Sequence, residues 1–82
     1  MILEGRMGYN PANKRYGLLI SDLWVIDGLQ CGTPLDYWDM DTEKWIHTRI
    51  EMVWPAQEYY LVDTELQGKD LEGLKIRVDN AT

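Results

Sequence analysis

The sequence predicts an all-β domain, either a small SH3-like barrel or a strongly bent antiparallel sheet of six or seven short strands. An OB-like barrel or open β-roll ranks behind these. The first observation is the stretch 45–54, which alternates with period 2. Ile46, Thr48, Ile50 and Met52 fall on one face, and Trp45, His47, Arg49 and Glu51 on the other. As a helix the same residues would scatter their apolar groups, and three of them are β-branched. The second observation is turn chemistry recurring roughly every 8–12 residues between short apolar runs. Closing or strongly bending such a sheet limits its bare edges.

The elements follow in order. Residues 2–9 read as a first strand in which Gly5 and Gly8 mark a bulge or bend. Asn10, Pro11 and Asn13 supply a turn, because proline fixes φ and asparagine tolerates positive φ. Residues 15–21 form a second strand with Tyr16, Leu18 and Ile20 facing the core. Ser21-Asp22 breaks it, and 23–26 returns as a third strand to complete a hairpin. Residues 27–34 are irregular, opened by Asp27-Gly28 and closed by Gly32 and Pro34. Cys31, in this segment, is expected to be a small, inert, buried thiol, since no cation beside it in sequence would lower its pKa.

Residues 35–40 read as a fourth strand, joined through 41–44 to the stretch 45–54, which is expected to be the central strand. Pro55-Ala56-Gln57 is a turn, and 58–63 is a sixth strand. The polar connection 64–73 has room for one helical or 3₁₀ turn near 70–74. Leu74, Ile76 and Val78 then alternate with Lys75, Arg77 and Asp79 in a closing strand. The expected shared core is Ile46, Ile50, Leu61, Ile76 and Val78. The whole chain, 1–82, reads as a single β-barrel-like domain with a frayed tail at 80–82.

Composition narrows the function. With 82 residues there is one modest core and little room for a deep cleft. No apolar run approaches the ~20 residues of a membrane span. The start of the chain lacks the layout of a signal peptide, and one cysteine cannot form an internal disulfide, so a bacterial cytoplasm is the expected location. Residues 1–33 carry three acids and three bases, while 34–82 carry 11 acids and five bases, so the net charge of −6 lies entirely in the later part. Such a chain is repelled by phosphate backbones and suits a basic partner. Four Trp and five Tyr with no Phe favour rings that have a polar handle, the kind enriched at interfaces.

Catalytic and metal chemistry find little support. His47 is the lone histidine, and Glu51 is its same-face candidate for an orienting carboxylate, with no nucleophile evident. Ser21 has no nucleophile-elbow glycines around it. Asp36, Asp39, Asp41 and Glu43 resemble a fragment of a calcium loop in spacing, but they lack its turn glycine and terminal bidentate acid. The expectation is a protein without enzymatic activity, cofactor or metal.

Four stretches carry a resemblance: Asp27-Gly28-Leu29-Gln30-Cys31-Gly32, Trp45-Ile46-His47-Thr48-Arg49-Ile50-Glu51, Tyr59-Tyr60-Leu61-Val62, and Leu71-Glu72-Gly73-Leu74-Lys75-Ile76-Arg77-Val78. Together with Tyr9-Asn10-Pro11 and Arg15-Tyr16-Gly17, they resemble an uncharacterised family of small proteins encoded on phages and conjugative elements of Gram-positive bacteria. The 38–43 hairpin is more acidic than that family's pattern. The resemblance implies a mobile-element setting and no assigned active site. Two functions fit that setting. One is an acidic interaction module that inhibits a basic host nucleic-acid-handling protein such as a CRISPR effector nuclease, as anti-CRISPR proteins do, without binding nucleic acid or membrane. The other is an accessory subunit of plasmid or phage replication or transfer that contacts nucleic acid through an aromatic face. The partner-binding residues expected are Asp36, Tyr37, Trp38, Asp39, Asp41, Glu43, Trp45, His47 and Arg49.

Overall fold

Seven antiparallel strands curl into one half-barrel sheet in the computed structural model, which describes residues 1–79; the expected frayed tail lies outside the described residues. The strands are β1 (Ile2–Asn10), β2 (Arg15–Ile20), β3 (Leu23–Ile26), β4 (Pro34–Asp39), β5 (Lys44–Val53), β6 (Glu58–Leu61) and β7 (Lys75–Asp79). A single 3₁₀ turn, Gly68–Leu71, starts two residues earlier than the sequence suggested. Among the described residues no helix is long and apolar enough to cross a membrane.

The sheet order is β3-β2-β1-β7-β4-β5-β6. Two three-stranded meanders, β1-β2-β3 and β4-β5-β6, are therefore zipped together by the last strand. β7 pairs with β1 from Ile2↔Asp79 to Arg6↔Lys75, and with β4 at Asp36↔Arg77 and Tyr37↔Ile76. This corrects the expectation that 45–54 is the central strand. β5 is the longest strand, but it lies one place from the edge; β7 is the middle one, because sequential hairpins claim every other neighbour. The sheet bends rather than closing, so β3 and β6 remain its two ends.

Local chemistry sets the turns. Ser21 and Asp22 both have positive φ, 52° and 64°, as a two-residue hairpin needs if its twist is to match the flanking strands. The four-residue loops 11–14, 40–43 and 54–57 each end on a left-handed residue: Lys14, Glu43 and Gln57. Gly5 and Gly8 do not interrupt β1. A Cβ on Gly5 would collide with the Leu19 carbonyl oxygen, so this glycine lets β2 cross close as the sheet curls.

Two irregular segments fill the concave side where further strands would close a barrel. From 27–33, Leu29 enters the core, its N–H donating to the Tyr16 carbonyl at 2.7 Å. From 62–74 come Leu71, fully buried, and the half-buried Leu66 and Leu74. Tyr16 ties strand to loop, its hydroxyl donating to the Gly68 carbonyl at 2.9 Å; burial, and then the nearby Glu72 carboxylate, push that hydroxyl's pKa up. The core holds Ile50, Leu61, Ile76 and Val78 as expected, together with Met7, Leu18 and Leu35. Ile46 is a correction: it is half-buried and outside the cluster, because the β4–β5 hairpin runs on past the core. Cys31 is a second correction. Leu29 takes the inward position of that loop, and Cys31 is exposed at the surface turn.

Candidate functional site

On the outer face of the sheet, register alone builds a row across four strands. His47 of β5 pairs with Asp36 of β4, Asp36 with Arg77 of β7, and Arg77 with Glu4 of β1. Directly opposed residues in antiparallel strands have Cβ atoms within about 5.5 Å, so the charged row can bond internally. It does. Arg77 Nε donates to Asp36 Oδ2 at 2.8 Å, and His47 Nδ1 lies 2.7 Å from Asp36 Oδ1. An ionised carboxylate only accepts, so Nδ1 carries the proton in this contact. Burial by itself would raise the Asp36 pKa. The hydrogen bonds and charges of Arg77 and His47 outweigh it and hold the carboxyl below its usual range.

The next row is aromatic. Trp38 and Trp45 pair across β4 and β5, with ring centroids 5.4 Å apart and planes at 72°, an edge-to-face contact. The Arg77 guanidinium sits over the Trp45 ring at 4.4 Å. Lys75 Nζ lies 5.4 Å from the Trp38 ring and 5.6 Å from that of Trp45, within cation–π range of both. Lys75 also reaches Glu4 at 3.7 Å, and Arg49 Nε bonds Glu51 at 3.0 Å. Each cation beside the rings thus has an acid next to it. Two open hollows of about 320 Å³ flank the face. One is lined by Trp38, Met40, Leu74 and Lys75, the other by Ile2, Pro34, His47 and Arg77.

Of the residues expected at the site, Asp36, Trp38, Trp45, His47 and Arg49 share this face. Tyr37 does not. It points inward against the core, where burial and then Asp39 push its pKa up. Asp39, Asp41 and Glu43 stand at the hairpin tip. Asp39 is committed to the turn, accepting the Asp41 N–H at 3.1 Å and the Thr42 hydroxyl at 2.9 Å. Asp36, bound to Arg77, is not part of an open acidic cluster, and among the described residues no three potential ligands converge to hold a metal ion.

Sequence reasoning offers Lys75 and Arg77 only as bases near the aromatic face in the nucleic-acid reading, not among the partner-binding residues, and it misses Glu4. Their outward phase is legible in each strand, but their neighbours depend on β7 inserting beside β4, a contact 41 residues apart. The same insertion supplies His47 with its carboxylate partner's second anchor. The expected orienting acid, Glu51, bonds Arg49 instead.

The profile of one family, described as a domain of unknown function (DUF5348), matches residues 5–78. No curated protein and no solved structure matches the chain.

Proposed function

From the premise that the chain belongs to the DUF5348 family, we propose a non-enzymatic protein-interaction module. Its outer sheet face docks on a basic, nucleic-acid-handling protein of a bacterial host and inhibits it, in the manner of anti-CRISPR proteins. The observation that carries this reading is the Trp38–Trp45 pair, held by Arg77 and Lys75 beside the acidic 39–43 tip. Trp and Arg are the residue types that dominate binding energy at interfaces, commonly by about 2 kcal/mol or more each. Side chains already fixed by ring contacts and ion pairs lose little freedom on docking, which raises affinity. The tip acids act on approach rather than on residence, because rim charges mainly change association rates.

The accessory-subunit reading gains one observation: Lys75 and Arg77 lie against tryptophan rings, as single-strand binders arrange them. Here, however, the cations cover the rings they accompany, and Glu4 and Asp36 balance their charge. With a net charge of −6, little attraction for a phosphate backbone remains.

Binding kinetics against a purified CRISPR effector nuclease at two salt concentrations test the reading. Trp38→Ala and Trp45→Ala should raise the dissociation rate, while neutralising Asp39, Asp41 and Glu43 together should slow association and flatten its salt dependence. Unchanged inhibition by the triple variant would remove the charge-steering mechanism. A salt-sensitive gel shift of single-stranded DNA at micromolar protein would favour the accessory-subunit reading instead.

A further inference from the structure

The two ends of the sheet are treated differently. At β6 the chain covers its own edge: Tyr60 bridges to Gln67, and the Leu61 N–H donates to the Leu66 carbonyl at 3.0 Å. At β3 no strand or loop of the described residues pairs with the outer side. That edge presents three consecutive exposed apolar residues, Leu23 (70%), Trp24 (38%) and Val25 (45%). It carries none of the lysine or proline that natural edge strands use against pairing, and only its shortness and one register shift opposite Leu18/Leu19 blunt it.

We propose that the β3 edge is a self-association surface, and that its occupant is the β3 edge of a second copy of this chain. The ladder fixes how the strands would meet. Ile20↔Leu23 closes a two-residue turn, so this pair is hydrogen-bonded, and the next pair, Leu19↔Trp24, is not. The N–H and C=O of Trp24 therefore point toward the open edge. A two-fold axis midway between the two copies of Trp24 lets them exchange both bonds. In this register Asp22 lies opposite Ile26 of the second copy, and Asp27 opposite Ser21, so no acid faces an acid.

Charge selects a second copy over an unrelated basic segment. The strands next to this edge come from residues 1–33, whose three acids and three bases cancel, and Asp22 beside the edge is already paired with Arg6. The whole −6 resides in 34–82, which supplies β4 to β7 at the far side of the sheet order. Joining at β3 keeps the two acidic halves apart, and it leaves the Trp38–Trp45 face of each copy open. The dimer is thus bivalent for whatever that face binds. Four-residue strands bury little area, so the association is weak and concentration-dependent.

Sedimentation equilibrium from micromolar to millimolar protein tests this, with hydrogen exchange run in parallel. The sedimenting mass should rise from that of one chain toward its double, and the Trp24 amide should gain at least several-fold protection over the same range. Leu23→Lys should abolish both effects while leaving the circular dichroism spectrum unchanged. Trp54→Lys, which removes an exposed ring from a different hairpin, should leave both intact. Added salt should leave the dimer intact or strengthen it. A single-chain mass up to millimolar concentration overturns the proposal. So does association that survives Leu23→Lys, that Trp54→Lys abolishes, or that proceeds without protecting Trp24.

Discussion

Ile50→Ala and Ile46→Ala are the sharpest test of the core. The two isoleucines lie four residues apart on the same face of β5, and nothing in the local sequence distinguishes them. Ile50 is fully enclosed: it pairs with Leu61, and its backbone is bracketed by bonds to Gly32 (2.7 Å) and Thr33 (3.1 Å). Truncation removes three carbons, about 2.4 kcal/mol of transfer free energy at ~0.8 each. Those backbone bonds limit collapse around the gap, and a residual cavity of about 40 Å³ adds ~1 kcal/mol. The total of about 3–4 kcal/mol is a large part of the ~4–12 expected for a domain of this size. It should lower the melting temperature by at least about 12 °C. Ile46, half-buried and outside the cluster, should cost about 1 kcal/mol. Urea unfolding followed by tryptophan fluorescence reads both variants. If Ile46→Ala costs as much as Ile50→Ala, the core extends along the hairpin to Ile46 and does not end before it.

Two further predictions concern the face and the curl. The Asp36 carboxyl is held below its ordinary pKa when folded, so between that lowered value and the unfolded value of about 4 the unfolded chain binds the extra proton, and stability rises with pH there. The Asp36 contribution is present above the unfolded pKa and lost as pH falls through the folded one. Asp36→Asn should flatten this acid limb of the stability curve, measured as urea midpoints from about pH 2 to 7; an unchanged slope would mean that Arg77 and His47 do not hold the charge. Gly5→Ala should destabilise by about 1–3 kcal/mol or more, because the new methyl meets backbone at the Leu19 carbonyl rather than a movable side chain. Wild-type thermal stability in that variant would show that the curl has room the geometry denies.

Much of the fold was legible because the informative signals are local. Period-2 alternation gave the phase of β5, which the buried Thr48 and Ile50 follow, and turn residues located all seven strands to within a few residues. What local pattern cannot hold is the choice of strand partners. Placing β7 between β1 and β4 is a long-range event, and it displaced β5 from the centre of the sheet. The loop residues went astray for a related reason. The core needed one side chain from 27–33, and whether Leu29 or Cys31 would supply it depends on where that loop meets Tyr16 and Ile50.

The candidate site divides along the same line. Trp45, His47 and Arg49 were readable as one surface because a single strand presents them. Nearness in sequence also groups the acids 36, 39, 41 and 43, and there the structure separates them. A strand and its turn put neighbouring acids to different uses: Asp36 anchors Arg77 and His47, Asp39 shapes the turn, and Asp41 and Glu43 stand at the tip. A charged residue in a sheet has to be read across the strands as well as along the chain. Read that way, the centre of this face balances Asp36 against Arg77 and Glu4 against Lys75 beside the paired tryptophans, and the acids of the tip, unpaired among the described residues, lie at its margin. On the proposed docking function, such a division gives residence to the rings and encounter to the tip. It is why the ring variants should move the dissociation rate and the tip variants the association rate; equal effects of both sets on both rates would refute that division of labour.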